Sequence, residues 1–217
     1  MNFKAVMFDL DGTLLDTLED IADSMNAVLQ REGFKSHALT AYQYFIGDGV
    51  EKMVFRALPQ DQRQELMIMK CVQQYRAEYG RNWTRKTKPF QEITELLDEL
   101  EKNEKKLAVL TNKPDDAARK MIAHYFPGPR FAMVLGARND IPRKPDPQGA
   151  FEIAARLSLE LNEFLYLGDM ATDMETAIAA GMFPVGVSWG YRSPEELKGC
   201  GARLILDRPL DLLDHLY

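Results

Sequence analysis

Cysteine is scarce: Cys71 and Cys200 are the only two in 217 residues, far apart and outside any paired spacing. That excludes a disulfide framework and a thiolate metal site, and reduced thiols in a cytoplasmic protein are expected. The three histidines, His37, His124 and His215, are scattered without ligand spacing and read as ordinary surface or helix residues. Excess positive charge is also lacking. With 27 Lys and Arg against 33 Asp and Glu, the net charge is -6, which argues against nucleic acid or an anionic lipid surface as partner. No apolar run approaches the roughly 20 residues of a membrane span. The opening Met1-Asn2-Phe3-Lys4, with a short apolar run ending at Asp9, is unlike a signal peptide. A small soluble substrate fits these absences best, and the length suits one sizeable core with a smaller satellite.

What is present is an alternation. Short apolar runs occur at Ala5 to Phe8, Leu107 to Leu110, Phe131 to Leu135, Phe164 to Leu167, Pro184 to Val187 and Leu204 to Leu206. Continuous runs of this kind suit strands covered on both faces, hence a parallel sheet. Helical spacing joins Ile93, Leu96, Leu97 and Leu100, then Ala118, Met121, Ile122 and Tyr125, then Ala150, Ile153, Ala154 and Leu157. Pro114 and Pro147 stand where helices begin, and Gly181 where one ends. The expected fold is doubly wound α/β. Between Leu18 and about Arg81 the alternation stops. Three helical stripes follow one another there, through Leu18, Ile21, Ala22, Met25, Val28 and Leu29, through Val50, Met53, Val54, Ala57 and Leu58, and through Leu66, Cys71, Val72, Tyr75 and Tyr79. An all-helical insertion is expected, with residues 17–81 as one domain and 1–16 and 82–217 as the α/β core.

Ligands of an open parallel sheet bind beyond the carboxyl ends of its strands, so the residues that follow each run carry the chemistry. They are Asp9-Leu10-Asp11-Gly12-Thr13, Thr111-Asn112-Lys113, Gly168-Asp169 with Asp173 one turn on, and Lys144 in Arg143-Lys144-Pro145. Each alone has a plain explanation: Asp11-Gly12 as a turn, Thr111-Asn112 as a helix cap, Asp173 as a first-turn acid, Lys144 as a loop charge. Four such segments in order after strands of one domain make coincidence the weaker account. Asp9, Asp11 and Asp169 offer hard oxygens suited to magnesium, since three carboxylates converging without a cation would repel. Lys144 and Thr111 can receive an anionic phosphoryl group. An aspartate nucleophile with a second aspartate two residues on can divide hydrolysis into two transfers.

D-x-D-G-T, T-N, K-P and G-D-x-x-x-D in this order resemble the four signature segments of the haloacid dehalogenase-like superfamily. The resemblance spans essentially the whole chain and implies a Rossmann-like core with an inserted helical cap domain. It implies Asp9 as nucleophile, Asp11 as general acid/base and backbone magnesium ligand, Asp169 as magnesium ligand and Asp173 acting on the metal's waters. Thr111 and Asn112 would lie at the phosphate, and Lys144 would neutralise Asp9 and the phosphoryl group. The dehalogenases of the superfamily lack the second aspartate and do not use magnesium, so Asp11 favours phosphate chemistry. The early insertion looks like the cap of the phosphoglycolate phosphatase-like subgroup. In such caps a Gly-x-Gly turn, here Gly47-Asp48-Gly49, either reaches the leaving group or is a plain loop before a helix. Trp189-Gly190-Tyr191-Arg192 resembles a late loop of that subgroup beside the site, and a simple packed tryptophan turn explains it equally. Met170 replaces a common Ser or Thr, and Pro89-Phe90-Gln91-Glu92 replaces the commoner P-x-P-G. The expectation is a cytoplasmic, magnesium-dependent phosphatase, monomer or homodimer, acting on a small phosphate ester with 2-phosphoglycolate first. A sugar phosphomutase, a pyrophosphatase and a non-catalytic regulatory protein are the alternatives.

Overall fold

The computed structural model describes residues 3–216. In chain order the elements are β1 (Ala5–Phe8), β2 (Leu15–Asp16), α1 (Leu18–Arg31), α2 (Leu39–Phe45), α3 (Val50–Ala57), α4 (Glu65–Asn82) and β3 (Lys88–Pro89). There follow α5 (Ile93–Lys102), β4 (Lys106–Pro114), α6 (Asp115–Tyr125), β5 (Phe131–Ala137), α7 (Gln148–Leu157), β6 (Phe164–Gly168), α8 (Ala171–Ala180), β7 (Phe183–Val187), α9 (Pro194–Gly199) and β8 (Leu204–Leu206). By compactness the chain forms two units, one from the N-terminal stretch to Leu15 together with Pro89 onward, the other from Asp16 to Lys88.

The first unit is a six-stranded sheet in the order β5-β4-β1-β6-β7-β8, with every neighbouring pair parallel. The continuous apolar runs explain it. A strand buried on both faces cannot leave a backbone group unpaired, and the crossovers that parallel strands need supply the covering helices. Ala5, Met7, Ala108, Leu110, Leu135, Phe164 and Tyr166 of the sheet form one core with Ala150, Ile153 and Ala154 of α7 and Ala177 and Ala180 of α8. Each large side chain fully buried there contributes about 1.5–3 kcal/mol. With β1 between β4 and β6, the carboxyl ends of these three strands lie side by side, and that adjacency positions the site.

The second unit is helical, as the stripes predict. Met25, Val28 and Leu29 of α1 are fully buried, as are Val54 of α3 and Cys71 of α4. Glu32, just after α1, receives hydrogen bonds from Lys70 and Gln74 of α4, both at 2.6 Å, and Arg31 pairs with Glu78. Leu66, which the spacing counts with the α4 stripe, is instead 83% exposed. The apolar cluster Leu66 to Met69 surrounds its helix rather than lining one face. The unit also runs on to Lys88 rather than ending at 81, because Trp83 is buried and the Asp20 carboxylate grips the chain near its exit. Asp20 accepts hydrogen bonds from the amides of Lys86 (3.0 Å) and Thr87 (2.9 Å) and from the Thr87 hydroxyl (2.8 Å). His37 is more than a surface residue: its Nε2 is 2.8 Å from the Ala57 carbonyl, and its ring meets Tyr42 and Phe45 edge-on. No helix among the described residues is long and apolar enough to cross a membrane.

Candidate active site

Asp9 follows β1, Asp169 follows β6, and Asp173 lies in the first turn of α8. All three are buried, and each offers a carboxylate oxygen within 4.8 Å of the others. Lys144, buried like them, places its Nζ 2.9 Å from Asp9 Oδ1 and 2.6 Å from Asp173 Oδ1. The Asp9 contact is one of charge rather than an aligned hydrogen bond, for Oδ1 is buried with no hydrogen-bond partner.

The surroundings hold these groups by backbone and hydroxyl donors. Asp169 receives Thr13 Oγ1 at 3.0 Å and the Tyr191 amide at 3.1 Å. Asp173 Oδ2 receives the Met170 amide at 2.9 Å, so the residue that replaces Ser or Thr contributes through its backbone. The Trp189 indole donates to the Thr13 carbonyl at 3.0 Å, which resolves the late loop as one that flanks the site. Gly190 is required there. A Cβ at that position would meet the Asp169 side chain at 2.2 Å and the Gly12 carbonyl at 2.6 Å.

Electrostatics follow from burial of like charges. Desolvation, with Asp173 and Asp11 adding repulsion and Lys144 opposing, pushes the Asp9 carboxyl up to about 6. Desolvation, then Asp173 and Asp9, hold Asp169 well above the usual carboxylate range. Burial alone would lower Lys144, but the charges of Asp173 and Asp9 outweigh it and keep its ammonium well above the ordinary lysine value. Three carboxylates lie together here, and the Lys144 ammonium pairs with two of them, Asp9 and Asp173. The donor set suits a hard divalent cation, which would offset the excess charge and give Asp9 Oδ1 a partner, so the residues fit a metal.

Asp11, expected near the metal through its backbone, aims its carboxylate elsewhere, at Lys113 Nζ, 2.9 and 3.0 Å from its two oxygens. Asn112, expected at the phosphate, receives the Lys144 amide at 2.9 Å and donates to the Lys144 carbonyl at 3.1 Å. Its amide thereby fixes the loop that delivers Lys144. Thr111 is buried within β4, its hydroxyl accepting from the Lys113 amide at 3.3 Å. Gly47, Asp48 and Gly49 belong to the helical unit, where Arg56 pairs with Asp48 and bonds the Phe45 carbonyl at 3.0 Å. Asp48 is therefore charge-balanced within its own loop. Sequence reasoning assigned no role to Lys113, Arg56 or Tyr166, whose hydroxyl lies 3.3 Å from the Leu110 carbonyl and 3.4 Å from Asp173 Oδ1.

Comparison with known proteins agrees with this geometry. Residues 6–187 match the family described as haloacid dehalogenase-like hydrolase. The chain belongs to that family. Among curated relatives, a phosphoglycolate phosphatase of Neisseria meningitidis is 31% identical over 191 residues, covering 87% of this chain and 81% of the relative. A phosphoglycolate phosphatase of Pectobacterium atrosepticum is 27% identical over 216 residues, covering 97% and 91%. A crystal structure from Lactobacillus delbrueckii subsp. bulgaricus superposes with a TM-score of 0.93 at 28% identity, over 100% of this chain and 99% of that one. This haloacid dehalogenase-like hydrolase therefore carries its buried carboxylates on the family's fold.

Proposed function

We propose that the protein is a phosphatase that hydrolyses a small phosphate monoester through a phosphorylated Asp9, with magnesium as cofactor and 2-phosphoglycolate as the first candidate substrate. The observation that carries the reading is the convergence of buried Asp9, Asp169 and Asp173, with the Lys144 ammonium on Asp9 and Asp173 and with Asp9 Oδ1 lacking a hydrogen-bond partner. The family match and the curated relatives, several named phosphoglycolate phosphatase, support it.

In this reading an Asp9 oxygen attacks phosphorus, the ester P–O bond breaks, and the leaving oxygen takes a proton from Asp11. Water then attacks the phosphorus of the aspartyl phosphate, gives a proton to Asp11, and releases phosphate and the Asp9 carboxylate. Lys144 neutralises Asp9 and the phosphoryl oxygens, Asn112 holds the Lys144 backbone, and the Thr111 hydroxyl binds the phosphoryl group. Magnesium held by Asp9, Asp169 and the Asp11 carbonyl, with Asp173 on its waters, would supply charge neutralisation at the phosphoryl group. The helical unit is read as a cap, with Gly47, Asp48 and Gly49 as its candidates for the leaving group.

The test is phosphate release across a panel of small phosphate esters with and without magnesium, with Asp9→Asn as control. Magnesium-dependent release that Asp9→Asn abolishes is expected, with 2-phosphoglycolate foremost. A wild-type protein that releases no phosphate from any ester refutes the reading.

A further inference from the structure

Strand β4 departs from regular pairing with β5 where its polar residues begin. Leu110 pairs with Leu135 and Pro114 with Ala137, so Thr111, Asn112 and Lys113 stand opposite a single residue of β5, Gly136. A bulge of this kind re-aims the side chains it carries, and bulges gather beside active sites. Asn112 exchanges two hydrogen bonds with the Lys144 backbone, at 2.9 and 3.1 Å, so the bulge also sets the loop that bears the ammonium.

The bulge is pinned from outside. Asp115, which follows Pro114 at the start of α6, accepts the Gly136 amide on Oδ1 at 2.8 Å. Arg119, one turn on, donates to both oxygens of that carboxylate, at 2.6 and 3.2 Å. Gly136 has no room for a side chain. A Cβ there would meet the Asp115 Cα at 2.4 Å and the Lys113 carbonyl oxygen at 2.7 Å, both backbone atoms that cannot swing aside. The helix dipole is the usual account of an acid in a helix's first turn. Accepting an amide from the neighbouring strand is a separate task, and it places a side-chain acceptor where the register shifts.

We propose that Asp115 is a positioning residue: through the Gly136 amide it holds the bulge at 111–113 so that the Thr111 hydroxyl meets the phosphoryl group and Lys144 keeps its place at Asp9. The proposal rests on the phosphatase reading and adds to it a residue that touches neither the substrate nor the carboxylate cluster.

The experiment measures kcat and KM with whichever small phosphate ester of the panel wild type hydrolyses fastest, together with hydrogen exchange at the Gly136 amide. Asp115→Ala is expected to lower kcat at least about tenfold with KM changed less than about threefold, since small misplacements of reacting groups are costly in rate. Its Gly136 amide should exchange faster while the β1 amides exchange as in wild type. Asp115→Asn keeps an oxygen for that amide and gives up the ion pair with Arg119, and its kcat should stay within about threefold of wild type. In a Thr111→Val background Asp115→Ala should cost less than it does alone, because the hydroxyl it positions is gone. An unchanged kcat in Asp115→Ala overturns the proposal. So does an Asp115→Asn that falls as far as Asp115→Ala, which would assign the residue to its ion pair, or a full Asp115→Ala effect in the Thr111→Val background. These outcomes leave the phosphatase reading standing as long as Asp9→Asn abolishes release of phosphate. If wild type hydrolyses no ester, that reading and the proposal fall together.

Discussion

Asp20 and Asp9 are both buried carboxylates, one in each unit, and the protein treats them in opposite ways. Asp20 is surrounded by donors from Lys86 and Thr87, all neutral, and joins the start of α1 to the chain leaving its unit. Asp9 has no aligned donor on Oδ1 and lies among other carboxylates that raise its proton affinity. A buried charge satisfied by fixed dipoles is an element of architecture. One left with an unmet need is a place where a ligand gains energy, and perturbed, under-satisfied groups of this kind collect at functional sites.

The comparison breaks most sharply at Lys144. Lys144→Met removes the ammonium that pairs with Asp9 and Asp173 and leaves these buried carboxylates without it. Unfolding in denaturant with a chelator present should show a loss of about 3–5 kcal/mol. Added magnesium should recover part of it, and phosphate release should stay far below wild type. Next in size, Asp20→Ala strands the buried amide and hydroxyl of Thr87 and the part-buried amide of Lys86. A loss of about 3 kcal/mol is expected, with faster hydrogen exchange at the Lys86 and Thr87 amides ahead of the sheet amides of β1. Exchange at those two amides unchanged from wild type would show that the clamp is not what orders the exit.

The strands were readable in advance because a doubly covered strand writes its burial as an unbroken apolar run, as Ala5 to Phe8 does for β1, and the run Leu204 to Leu206 also coincides with the half-buried edge strand β8. Helix α2 was not readable, since Leu39–Phe45 buries only Tyr42 and so has no stripe. Leu66 misled because an apolar cluster gives no direction. At the site, Asp9, Asp169 and Lys144 stood out because each follows a strand or its connection. The Lys113–Asp11 pair joins residues 102 apart, and local pattern contains nothing about which strand ends become neighbours. Glu92 shows the converse. It takes φ 65°, a left-handed backbone, where the commoner P-x-P-G would put glycine, and the residue type gave no sign of that conformation.

Metal should separate the two carboxylate settings more gently than mutation. Magnesium at about 100 times its dissociation constant should raise the unfolding free energy by about 2.7 kcal/mol in wild type. Asp169→Asn should abolish that increment, whereas Asp20→Ala should keep it, because Asp20 is already satisfied. Thermal shift with and without magnesium measures both.

The smallest effect belongs to a carboxylate of a third kind. Glu78 of α4 is held down to about 2 by hydrogen bonds from Arg31 and then Arg81, whose side chains are 49% and 65% exposed. A lowered value means the ionised form is favoured in the folded state. Its contribution is therefore complete above the ordinary glutamate value of 4.5 and is lost as pH falls from there toward about 2. Solvent screening of the arginines keeps it below about 1 kcal/mol. The stability gap between wild type and Glu78→Gln, measured in urea, should be small at pH 7, smaller near pH 3, and smaller again in high salt. A gap that widened on acidification would mean that Glu78 is favoured in its protonated form, as the crowded carboxylates around Asp9 are and this arginine-held one is not.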